Sequence, residues 1–170
     1  MLAVATTAPA WSREATQAAQ LKAAFVFNFS RYTEWPGHAF ASPEAPLRLC
    51  LFSTDSEVGK ALAALAGNPV RDRKIDVVKI NSVDAVQDCH LLYVESGPDA
   101  VPMATIVARS TGVPLLTIGE GSTFPLQGGV IGLVTRDKRL GFEVNLEAAK
   151  RAELRLSSQL LALARIVKEG

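Results

Sequence analysis

The sequence predicts a three-layer α/β fold: a mostly parallel sheet with helices on both faces and a C-terminal antiparallel hairpin. Three observations carry that expectation. The short apolar run at 47–52 is nearly continuous rather than alternating, as a strand buried on both faces is, and 90–95 and 115–118 read as further strands. Segments of helical character separate them, the alternation that builds a parallel sheet. Two further apolar runs flank the charged tip Arg136-Asp137-Lys138-Arg139, which is a hairpin pattern.

In chain order, residues 1–12 read as a signal-peptide remnant or a disordered tail. Leu2 to Ala5 are apolar, and Ala8-Pro9-Ala10 has the small-residue spacing of a cleavage site, although no basic leader precedes them. A single domain then occupies 13–170. Its first helix is expected from Ser12, as the cap, to about Tyr32, with Leu21, Ala24, Phe25 and Phe29 on one side and Val26 and Phe27 widening the apolar face. Glu34-Trp35-Pro36 closes it, because the residue before a proline disfavours helix. After a Pro- and Gly-rich loop at 36–46 comes the strand at 47–52. Val58, Leu62 and Leu65 place a helix over 56–66, stopped by Gly67-Asn68-Pro69. Strands at 75–80 and 90–95 bracket a short helix at 83–86, and a helix over 100–110 precedes the strand at 115–118. Hairpin strands follow at 129–135 and 140–144. Asn145 then caps a helix to about Ala152, and Leu160, Leu161, Leu163, Ala164 and Val167 predict a last helix over 157–167.

Composition narrows the function classes. At 170 residues roughly 70% of the unfolded surface can be buried, so one core suffices without a metal. Eighteen basic against seventeen acidic residues leave a net charge of +1, which argues against a nucleic-acid partner held by a concentrated basic face. No apolar run approaches the roughly 18 to 20 residues of a membrane span.

Residues that could converge on chemistry are few. His90 directly follows Cys89, and neighbours entering a strand point to opposite faces, so they make a poor dyad. His38 reads as a surface residue of its loop. No spacing of Cys and His marks a metal site, and no catalytic motif or cofactor is expected. The stretch from Gly119 to Ser122 lacks what a phosphate loop needs, since Phe124 replaces a glycine and no helix is expected after it. Asn28, on the apolar helix, reads as a buried hydrogen-bonding anchor. Arg139, Glu143 and Asn145 either define a small polar pocket or separate into a helix cap and a solvent-facing Arg139–Glu143 pair. A ligand or enzyme site, if present, belongs at the strand ends near 53–56, 96–99 and 119–122. Cys50 and Cys89 are buried small hydrophobes if the chain is cytosolic, and would pair if it is exported.

Lys22-Ala23-Ala24-Phe25, Asn28-Phe29 and Glu34-Trp35-Pro36 together resemble the opening helix of the YfiR-like family of bacterial periplasmic regulators. Matches continue in Gly128 to Val134, Leu140 to Ala149 and Leu154 to Leu161, with Cys50 and Cys89-His90 between, so the resemblance runs from about Leu21 to Val167. It implies a non-enzymatic periplasmic protein with a Cys50–Cys89 disulfide. It also implies binding to, and inhibition of, the sensory domain of an inner-membrane diguanylate cyclase, which controls cyclic-di-GMP and biofilm. Release in that family comes through an OmpA-like outer-membrane lipoprotein or through redox damage. This chain lacks the second cysteine pair of some relatives, and Gly141 stands where many carry a polar or basic side chain. Partner or ligand contacts are expected at Arg31, Tyr32, Glu34 and Trp35, at the hairpin tip with Arg139, and at Glu143 and Asn145; the apolar first helix makes a homodimer the expected state.

Overall fold

The computed structural model describes Thr7 and residues 10–170, with side chains at Thr7 and from Thr16 onward. Most of the expected cleavage segment lies outside the described residues. The chain opens with the long helix α1 (Ala10–Arg31), so Ser12 lies inside the helix rather than capping it. A two-residue strand β1 (Thr33–Glu34) follows, then β2 (Leu47–Leu51) and α2 (Glu57–Ala63), whose cap Ser56 accepts from the Gly59 amide. Next come β3 (Pro69–Val70), β4 (Arg73–Lys79), a 3-10 helix at Val83–Asp88, β5 (Leu91–Val94) and α3 (Met103–Arg109). β6 (Leu116–Glu120), a single-turn α4 (Thr123–Leu126), β7 (Ile131–Arg136) and β8 (Arg139–Asn145) lead to α5 (Leu146–Arg151). β9 (Arg155–Leu156), α6 (Ser158–Leu163) and β10 (Arg165–Val167) complete the chain.

Eight strands form the main sheet in the order β10-β8-β7-β6-β5-β2-β4-β3. β4, β2, β5, β6 and β7 are mutually parallel, while β8 returns antiparallel to β7 and β3 antiparallel to β4. The period of two along the central strands divides the interior into two cores. Leu49, Leu51, Leu91, Tyr93, Leu116 and Ile118 face α1, α2, α5 and α6. Cys50, Leu92, Val94 and Leu115 face the 3-10 helix, α3 and α4. Each buried Leu or Ile contributes about 1.5–3 kcal/mol relative to exposure, so both covers are needed.

The first helix buries a different stripe from the one its apolar residues outline. Ala19, Ala23, Val26, Phe29 and Ser30 are buried, at the spacing of one helical face, whereas Leu21 is about half exposed and Asn28 is exposed rather than a buried anchor. Phe29 decides the orientation: its ring meets Phe142 of β8 at 4.9 Å between centroids, with Phe25 edge-on to both at 6.0 Å. Edge-to-face contacts of this kind add about 0.5–1.5 kcal/mol each beyond their area.

The C-terminus also departs from expectation. Instead of one helix over 157–167, α6 stops at Leu163 and Ala164 turns extended. β10 then pairs parallel with Glu143, Val144 and Asn145. Its Ile166-Val167 pair is β-branched and suits a strand better than a helix. The hairpin tip is shorter than read: Arg136 and Arg139 are themselves paired, leaving a two-residue turn in which Asp137 and Lys138 have φ of 50° and 64°, as a type I′ turn requires.

Cys50, inside β2, is bonded to Cys89, just before β5, across a Cα–Cα distance of 6.0 Å. In oxidised protein two thiols should titrate under denaturant only after reduction. Replacing both cysteines with serine should lower unfolding free energy by about 4 kcal/mol in a denaturant titration, the chain-entropy value for a loop of this length. Gly119 gives a second test. A Cβ there would lie 2.2 Å from Cδ2 of the Phe124 ring, which fills the space between Gly119 and Gly129. Gly119→Ala should therefore cost about 1–3 kcal/mol, measured in the same way.

Candidate functional site

At the amino ends of the parallel strands, the segment after α1 is tied to His90, the residue that precedes β5. Trp35 is half-buried against the α1-side core, and its Nε1–H donates to the His90 carbonyl at 3.2 Å. His90 itself is held on both nitrogens: Nδ1 accepts from the Arg48 amide at 2.9 Å, and Nε2 lies 2.8 Å from the Ala39 carbonyl, to which its hydrogen points. Its ring stacks on Phe40 at 4.5 Å, and the Arg73 guanidinium covers the other part of this pair, 3.5 Å from the Phe40 centroid. One imidazole thus fixes the 36–46 loop against β2.

Around that anchor the polar residues reach solvent. Arg31 is exposed, with its guanidinium 5.9 Å from the ring centroids of both Phe27 and Tyr32. Glu34 is exposed and stands opposite Arg155 in the small β1–β9 ladder. His38 and Glu153 pair nearby at 2.7 Å. The expected contact residues Arg31, Tyr32, Glu34 and Trp35 therefore share one end of the molecule, with Trp35 the internal member.

The other expected group does not form one site. Asn145 is fully buried; its Oδ1 accepts from the Ala148 amide at 3.0 Å, and its Nδ2 donates to the Pro125 carbonyl and to Glu169 Oε1 at 2.8 and 3.0 Å. It caps α5 and leaves nothing for a ligand. Glu143 is also buried, and it pairs with Arg136 and, at 3.8 Å, with Arg165 rather than with Arg139. Arg139 stays exposed at the far end of β8, apart from the Trp35 end. Arg139 and Glu143 both line a cleft of ≈ 340 Å³ beside the end of α6, but Asn145 is not part of it, and the Arg139–Glu143 pair is not formed.

At the carboxyl ends of the strands, sequence reading found the loops but missed the network joining them. Glu120, last in β6, accepts from Lys22 Nζ at 2.8 Å, Tyr93 Oη at 2.6 Å and Ser96 Oγ at 3.0 Å. Burial alone would raise its carboxyl, but these three donors together hold it below the usual carboxylate range. Tyr93 is pushed far up, first by burial and then by its bond to Glu120, so it remains a donor. The only local sign was a charged residue closing an apolar strand. Contrary to the reading of the glycine-rich stretch, a one-turn helix does follow it. Among the described residues no group of three or more His, Cys, Asp or Glu could hold a metal ion, and no helix is long and apolar enough to cross a membrane.

A family profile described as YfiR/HmsC-like matches residues 19–165, most of the chain. The chain belongs to the YfiR/HmsC-like family. This is a family of periplasmic, non-enzymatic regulators of diguanylate cyclases. Among solved structures, the YfiR/HmsC-like chain is similar to a conserved domain protein from Vibrio cholerae, with a TM-score of 0.56, 9% identity, and coverage of 89% of this chain and 60% of that one. It is also similar to an ABC domain from Streptococcus pneumoniae solved in complex with L-Trp, with a TM-score of 0.53, 8% identity, and coverage of 88% and 62%. These likenesses bear on the α/β fold alone. The chain spans about three fifths of the length of both structures.

The anchor in this YfiR/HmsC-like chain is pH-sensitive in a defined direction. Burial lowers the His90 imidazole, helped by the Arg48 and Arg73 charges, against the raising effect of the Ala39 carbonyl. The unfolded chain, whose imidazole titrates near 6.5, then binds protons that the folded chain refuses. Stability from neutral His90 should be complete above that value and decline as pH falls through it. Denaturant midpoints measured across this window should slope downward on acidification, and His90→Gln should flatten the slope.

Proposed function

We propose that the protein binds the periplasmic sensory domain of an inner-membrane diguanylate cyclase and holds the enzyme inactive, so that its removal raises cyclic-di-GMP and promotes biofilm. The observation that carries this reading is the family match over residues 19–165. The end of the molecule after α1 is the contact surface in this proposal. Arg31 and Glu34 present opposite charges there beside the Tyr32 ring, over a base stiffened by the Trp35–His90 bond. Stiff, charged and partly aromatic surfaces bind with little ordering cost, and their charges select the partner. Trp35 acts beneath the surface as its support; Arg139, exposed at the opposite end, is a secondary contact. Capture by an OmpA-like outer-membrane lipoprotein that relieves the inhibition, and a homodimeric resting state, complete the proposal.

Added to membranes containing the cyclase, the protein should lower cyclic-di-GMP synthesis. Reversing both charges, Arg31→Glu with Glu34→Arg, should weaken capture of the isolated sensory domain about tenfold, or roughly 1.4 kcal/mol, with an unchanged circular dichroism spectrum. Unchanged capture would remove this surface from the interface.

A further inference from the structure

A cleft of ≈ 410 Å³ lies at the carboxyl ends of β2 and β5, at the opposite end of the sheet from Trp35 and its His90 anchor. From β2 the chain passes to β4 on one side and then crosses back to β5 on the other, so the cleft sits where the strand order reverses, the place where open α/β sheets receive ligands. Its walls combine apolar Phe52, Pro98 and Val101 with polar Ser53, Asn81 and Glu95. Asp99 adds a second carboxylate, and no Lys or Arg is among the lining residues.

Glu95 is the pivotal group. It is half-buried, and the Ser56 hydroxyl donates to its Oε1. Among the described residues its Oε2 accepts no hydrogen bond, and the side chain has no salt-bridge partner. The adjoining Ser96 turns away to donate to Glu120, which Lys22 and Tyr93 hold in place, so the start of the loop is fixed before any ligand arrives. A carboxylate with one free oxygen beside an aromatic ring and aliphatic walls suits an ammonium group carrying hydrocarbon. An anion would meet two carboxylates with no compensating cation. We propose that this cleft binds a small organic amine, its ammonium on Glu95 and its hydrocarbon against Phe52 and Val101. The proposal does not rest on the cyclase reading.

The test titrates the full isotopically labelled chain at neutral pH with cyclohexylamine, cyclohexanol and cyclohexanecarboxylate, following backbone amides by NMR. Saturable shifts should appear at 53, 81 and 95–101 with the amine, weaken about tenfold with the alcohol, the worth of one charge-assisted hydrogen bond, and be absent with the carboxylate. Glu95→Gln keeps an acceptor for Ser56 and should weaken the amine by a similar factor. Asp99→Asn, at an exposed position, should weaken it less but in the same direction, and serves if the Glu95 variant misfolds. Absence of saturable shifts at millimolar amine, equal binding of the carboxylate, or indifference to the folded variants would overturn the proposal.

Discussion

The requirement that β2, β5 and β6 be covered on both faces governs the rest of the molecule. Leu49, Cys50 and Leu51 point alternately into the two cores, as do Leu91, Leu92 and Tyr93. Leaving either side open would expose a continuous apolar sheet, so the chain commits helices to both. Only the two ends of the strands remain for other work. At the amino ends the chain is stapled by a neutral histidine, and at the carboxyl ends by a carboxylate with three donors.

These two stations also fix α1. Lys22 joins it to Glu120 at one end of the sheet, while Trp35, just beyond it, joins His90 at the other. Between them Phe25 and Phe29 press on Phe142. The helix is therefore located at three points along the strand direction by charge, packing and a hydrogen bond, in that order. Each interaction is modest alone, yet together they leave the helix no freedom to slide or roll. A surface presented at its C-terminal end inherits that rigidity.

The layer architecture was legible in the sequence because strands buried on two faces leave an apolar run, and because Asn145 caps its helix by local chemistry. Tertiary choices were less legible. The face of α1 could not be read from its apolar residues because that helix has more of them than it buries, and Phe142, more than a hundred residues away, decides which are used. The C-terminal strand looked helical because Leu160 and Leu161 set a helical rhythm that Ala164 breaks without a Gly or Pro. The roles of His90 and Glu120 depend on partners distant in sequence, such as Ala39, Arg48 and Lys22. Of the roles read for Glu143 and Asn145, capping by Asn145 held, because burial gives both side chains partners within the fold rather than Arg139.

The cystine has a topological side that packing does not express. Its sulfurs close residues 50–89 into a ring that contains α2, β3, β4 and the 3-10 helix. A protease cutting anywhere within that ring converts one linear chain into two pieces that still share a covalent bond. Such a molecule would keep its mass and, with β2 and β5 still adjacent at the ring's neck, could hold its architecture. Cuts elsewhere release a fragment outright. Damage in an extracytoplasmic setting is thus partitioned by position: one stretch of the surface tolerates nicking, and the remainder does not.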